Sequence, residues 1–127
     1  MINDEIMTTK PISSKEIAKK VVEILYKRKA EDIEALHVGD LTVIADYFVL
    51  AKAGNNTHAK SMIGEIEDEL EKYGVTPLAR DGYNSSSWVV IDLNGVMVHV
   101  FFQKEGDFYA DALKSIWADA ESINILE

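Results

Sequence analysis

Two runs of β-favouring residues, Trp88-Val89-Val90-Ile91-Asp92-Leu93 and Val96-Met97-Val98-His99-Val100-Phe101, meet at Asn94-Gly95, and no other stretch constrains the chain as much. Asn-Gly suits a two-residue type I′ turn, because both residues tolerate positive φ. With those two as the turn, Leu93 faces Val96, Ile91 faces Val98 and Val89 faces Val100. One face of the hairpin is then wholly aliphatic and requires a core. The other carries Trp88, Val90, Asp92, Met97, His99 and Phe101, an acid and an imidazole among large apolar groups within cross-strand reach. A one-residue slip would mix the two sets, so the register is strongly specified. Two readings of the mixed face stand on sequence alone. It is a recognition surface, or it is a packing surface that a helix covers and whose polar atoms find ordinary partners.

The chain of 127 residues is long enough to bury a real core as one domain. That domain is expected over residues 13–120, with a polar N-terminal arm at 1–12 and a tail at 121–127. No apolar run approaches the roughly 20 residues that span a bilayer, and the first ten residues carry no apolar signal region. The absence of cysteine excludes disulfides, thiolate catalysis and Cys-ligated zinc. A cytoplasmic protein with no membrane partner is the expectation.

The formal net charge is −9, unevenly spread. Residues 1–30 hold seven of the 13 Lys and Arg side chains but four of the 22 acids, so the remainder is strongly acidic. An acidic body repels phosphate backbones and attracts a basic protein surface. Sequence-specific nucleic-acid binding is therefore not expected. The same acidity also serves solubility.

Ser13 and Glu16 have capping-box spacing, and Ile17, Val21, Ile24 and Leu25 follow at helical period. Lys27, Arg28 and Lys29 then suit the helix C-terminus. Strands are expected over 33–38 and 47–53, the second nearly continuous in apolar residues and so central. Gly54-Asn55-Asn56 breaks that strand and can cap a helix over 57–73, with Gly74 as its stop. A short strand over 77–80, the serine-rich loop 84–87, the hairpin, and a last helix over 106–120 complete the chain. Tyr109, Leu113, Ile116 and Trp117 are expected to point inward from that helix. The order α-β-β-α-β-β-β-α describes an α/β fold, a mixed sheet of about five strands with helices packed on it.

The signs of catalysis are few. His37, His58 and His99 show no metal-binding spacing, and no metal or other cofactor is expected. A strand running into Gly54-Asn55-Asn56 and then a helix can hold a phosphate. Nucleotidyltransferases place a glycine-serine turn there, followed by paired carboxylates for Mg²⁺. This chain lacks the serine and the pair. A nucleotidyltransferase-like, nucleotide-binding enzyme is thus the alternative to a non-enzymatic binding protein. Asp40 and Asp46 bracket a segment entering a buried strand, where aspartate suits caps and turns. Asp46 could instead sit at the rim of the mixed face.

Residues 40–51 (DLTVIADYFVLA), the turn Gly54-Asn55-Asn56, the hairpin WVVIDLNGVMVHVF, and the pair Phe108-Tyr109 followed by Trp117-Ala118-Asp119-Ala120 resemble the ribosomal silencing factor family, also called Iojap or RsfS. The likeness covers about residues 17–120. It implies a nucleotidyltransferase-like fold without catalysis. It also implies a factor that binds the large ribosomal subunit through ribosomal protein L-fourteen, blocks association with the small subunit, and represses translation when nutrients are scarce. Free members are often homodimers. By position, the resemblance assigns partner-binding roles to Trp88, Asp92, His99, Asp46 and Tyr47. The charge and apolar character of the same face add Asp81, Met97 and Phe101. Two departures stand out. The family's arginine before the aromatic pair is Gly106 here, and the spacing from Tyr109 to Trp117 is about two residues longer than usual.

Overall fold

The computed structural model describes residues 12–82, 87–123 and 125, with the side chains of residues 104 and 105 left out. The expected arm lies almost wholly outside these residues, as does most of the serine-rich loop. In chain order the elements are α1 (Ser14–Lys27), β1 (Glu31–His37), β2 (Tyr47–Lys52), α2 (Asn56–Glu71), β3 (Ala79–Asp81), β4 (Trp88–Leu93), β5 (Val96–Phe101), α3 (Gln103–Ile116) and β6 (Glu121–Ile123). They form one six-stranded sheet in the order β3-β4-β5-β2-β1-β6. Only β2 and β5 run parallel, and every other neighbouring pair is antiparallel.

The hairpin forms in the expected register, with Leu93 opposite Val96, Ile91 opposite Val98 and Val89 opposite Val100. Asn94 and Gly95 both take positive φ, as a type I′ turn requires. All six aliphatic side chains are fully buried beneath α1 and α2, together with Val49 and Ala51 of β2. The helices carry matching stripes: Ile17, Val21, Ile24 and Leu25 on α1, and Met62, Ile63, Ile66 and Leu70 on α2. Ser13 caps α1 in a complete capping box with Glu16, and the Asn55 side chain caps α2 by accepting from the His58 N–H at 2.8 Å.

Two expectations change. The segment expected as a tail contributes a strand, because β6 pairs antiparallel with β1 and Ile125 is buried against the core. Three residues are too short to show a strand period in sequence. The last helix starts three residues early, at Gln103, and ends at Ile116. Its inward stripe is Gly106, Ala110, Leu113 and Trp117, which meets Leu36, Val38, Ala45, Phe48, Leu50 and Phe101 in a second, smaller core on the opposite face of the sheet. Ile116 is 73% exposed and points outward. Gly106 lies on the sheet-facing side of α3. A Cβ there would stand 2.9 Å from the Ser87 carbonyl and 3.1 Å from the Phe101 Cβ.

Gly95 sits at φ +96, and a Cβ there would lie 3.2 Å from the Ser14 Cβ at the start of α1. Gly95→Ala is expected to destabilise the fold by about 1–2 kcal/mol through the left-handed backbone alone, measured as a lowered urea midpoint at unchanged slope.

Candidate protein-docking site

The mixed face divides in two. α3 crosses above β5, β2 and β1, while among the described residues no helix lies over β3 or over β4 beyond Trp88 on that side. Covered by the helix, His99 is 4% exposed and Phe101 is fully buried. Their rings belong to an aromatic cluster: Phe48 lies 5.0 Å from His99 and 5.1 Å from Trp117, and Trp88 lies 5.2 Å from Phe101. The packing reading therefore holds for this part of the face.

Beyond the helix the sheet is open. Cross-strand pairing puts Asp92 beside Met97 and Ala79, and Val90 beside Asp81. Val90, Asp92 and Met97 are half-buried, and Asp81 is exposed. This is the floor of a shelf whose wall is one flank of α3. Tyr109 forms the base of that wall, stacked on Trp88 at 5.5 Å. Ile116, seven residues further on, lies on the same flank. The floor thus offers two carboxylates among Trp88, Val90 and Met97, and the wall adds exposed apolar surface. An arginine or lysine has an acceptor here, and its methylene stem has a surface to lie on.

The other flank of α3 is tied down. Asp107 meets Lys52 of β2 at 2.6 Å, and Lys114 meets Glu34 of β1 at 3.4 Å. These pairs fix which side of the helix faces the open shelf. The hydrogen bond that the Lys52 ammonium donates to the Asp107 carboxylate outweighs burial and holds its pKa above the ordinary range.

The expected site residues separate accordingly. Trp88, Asp92, Met97 and Asp81 come together on the shelf. His99 and Phe101 lie beneath its inner edge. Asp46 and Tyr47 are elsewhere, at the turn end of the hairpin and toward α1. The Asp46 carboxylate accepts from the Ser14 hydroxyl at 2.7 Å, and its backbone N–H donates to the Gly95 carbonyl at 2.8 Å. Tyr47 packs against the aliphatic core, with its ring 5.1 Å from His37. Burial raises the Tyr47 phenol. Sequence reasoning missed Ile116 as a surface residue. Its seven-residue spacing from Tyr109, against the four from Leu113 to Trp117, is the signal that separates the flank from the stripe.

With the geometry in hand, comparison with known proteins decides the family. A family model described as "Ribosomal silencing factor during starvation" matches residues 11–127. The chain belongs to the ribosomal silencing factor family. It is 30% identical to the ribosomal silencing factor RsfS of Bacillus subtilis over 109 residues, which covers 86% of this chain and 91% of that protein. It is 28% identical to RsfS of Halalkalibacterium halodurans, over 90% of this chain and 96% of that one. A crystal structure of a Chromobacterium violaceum protein superposes with a TM-score of 0.77 at 27% identity, covering 84% of this chain and 88% of that chain. The expected mixed α/β fold is thereby confirmed. Among its described residues no helix is long and apolar enough to cross a membrane.

Burial alone pushes the His99 imidazole down from 6.5 to about 4, and neither ring nitrogen has a hydrogen-bond partner among the described residues. The folded state therefore holds His99 neutral, while the unfolded chain protonates it near pH 6.5. Stability from this group is complete above pH 6.5 and is lost as pH falls toward 4. At about 1.36 kcal/mol per unit, acidification from pH 6.5 to pH 5 is expected to cost about 2 kcal/mol at this residue. Urea unfolding of wild type and His99→Phe at the two pH values measures it, and the variant should show the smaller fall.

Proposed function

We propose that this silencing factor docks its shelf on a basic patch of ribosomal protein L-fourteen on the large subunit. Bound there, it occludes the small subunit and so represses translation when nutrients are scarce, with no chemical step. The observation that carries the reading is the open half of the mixed face: two carboxylates, Asp81 and Asp92, set among Trp88, Val90 and Met97 beside the exposed flank of α3. Aromatic anchors ringed by polar groups are the usual centres of protein interfaces, and a carboxylate on such a floor favours a cationic partner. The names of the relatives in Bacillus subtilis and Halalkalibacterium halodurans support a ribosomal target. Trp88 and Met97 supply contact area, and Asp92 and Asp81 meet Arg or Lys side chains. His99 and Phe101 hold Trp88 in place from below. In the free state we read the protein as a homodimer, which sedimentation velocity measures.

Co-sedimentation with separated ribosomal subunits tests the docking. Wild type is expected to pellet with large subunits and not with small ones. Asp92→Lys is expected to weaken that binding by about 2 kcal/mol or more, as loss and reversal of an interface charge do, and Ile116→Asp should weaken it too. Ile116 is exposed and Asp92 is half-buried at the open edge of the face, so stability from urea unfolding should fall by no more than about 1 kcal/mol in either variant. Normal pelleting of both folded variants would move the interface off the shelf.

A further inference from the structure

On the opposite side of the sheet from the shelf, the C-terminus of α1 and the start of α2 enclose an open cleft of roughly 500 Å³. Among the described residues its lining contains three consecutive cations, Lys27, Arg28 and Lys29, the hydroxyls of Thr57 and Ser61, the amide of Asn55 and the ring of His58, and no carboxylate. In a chain with 22 acids and 13 basic side chains, that composition is opposite in sign to the rest of the surface.

The cations are presented rather than consumed. Lys27 and Arg28 share one carboxylate, Glu65, at 3.1 and 2.9 Å, so the pair keeps a net positive charge. Lys29 sits at φ +63 in the turn after α1, is exposed, and has no ion-pair partner among the described residues. The scaffold beneath them is fixed. His58 accepts from the Gly54 N–H at 3.0 Å through Nδ1, so its Nε2 carries the proton and donates to the Arg28 carbonyl at 2.7 Å. The Arg28 guanidinium also reaches the Ser61 hydroxyl.

We infer that this cleft binds phosphate groups of an RNA backbone, a second contact surface separate from the protein-docking shelf. Cations with neighbouring hydroxyl donors match phosphodiester oxygens. The lining favours the backbone over a free nucleotide. Among the described residues of the lining the one ring, His58, is held at both nitrogens, and no other aromatic or large apolar side chain is there to stack a base. The contact is one of charge and position and carries no sequence preference.

The test is titration of a fluorescein-labelled RNA duplex by fluorescence anisotropy, at about 50 and about 200 mM salt. Wild type is expected to bind more weakly at the higher salt. The double variant Lys27→Ala/Lys29→Ala is expected to lose about tenfold in affinity and to lower the log–log salt slope by about two, one unit per phosphate contact. Both side chains are exposed, so their removal should leave the fold intact, and an unchanged urea midpoint checks this. Absence of RNA binding by wild type at the lower salt, or equal affinity and slope in the double variant, would overturn the inference. So would a rise in Tm with inorganic phosphate or ATP that Lys29→Glu abolishes while RNA fails to bind, because the cleft would then serve a small phosphate. No ribosome is needed, so failure here leaves the docking shelf untouched.

Discussion

The pairing of β4 with β5 about Asn94-Gly95 divides the sheet into a face that carries the main core and a face that one helix only partly covers. Because side chains alternate across a strand, one register decides the location of twelve residues at once. The six aliphatic ones are fully buried beneath α1 and α2. The parallel strand β2 extends this surface in step with β5, from Tyr47 opposite Val96 to Lys52 opposite Phe101. The turn end of the hairpin is fixed to α1 through Asp46, whose backbone holds Gly95 and whose carboxylate holds Ser14. A change in hairpin register would therefore disturb the core, the start of β2 and the first helix together.

The opposite face follows from a mismatch of widths. Neighbouring strands lie about 4.8 Å apart, and a helix with its side chains is about 10–12 Å across. Two helices cover one side of the sheet, but among the described residues α3 alone covers the other, and it reaches across three strands. Its ion pairs to Glu34 and Lys52 draw it toward β1 and β2. β4 and β3 remain open, and the aromatic residues of one hairpin face divide between packing and surface. Trp88 stands at the boundary, touching His99 and Phe101 inward and Tyr109 outward.

Much of this was legible in the chain. Turn chemistry and period-two alternation gave the hairpin register residue by residue, and the capping box with its 3.6-period stripe gave α1. What did not read through depends on contacts between distant segments. The strand at Glu121–Ile123 exists because β1 offers an unpaired edge, which nothing in Glu-Ser-Ile announces. The outward turn of Ile116 depends on which stripe of α3 meets the sheet, and that is set by Gly106 and Ala110 fitting closely under the helix. Asp46 and Asp92 look alike in sequence, each beside an apolar strand. They differ because Asp46 accepts from Ser14 at the start of α1, whereas half-buried Asp92 meets no helix among the described residues.

Both margins of the sheet are three-residue strands, Ala79–Asp81 and Glu121–Ile123. A bare strand edge is a template on which further chains can add, and natural proteins shorten or charge such edges to prevent it. β3 carries Arg80 and Asp81, β6 carries Glu121, and neither is long enough to seed an ordered stack. A sheet whose mixed face is only partly covered among the described residues thereby withholds the backbone ladder that would turn such exposure into fibrillar aggregation.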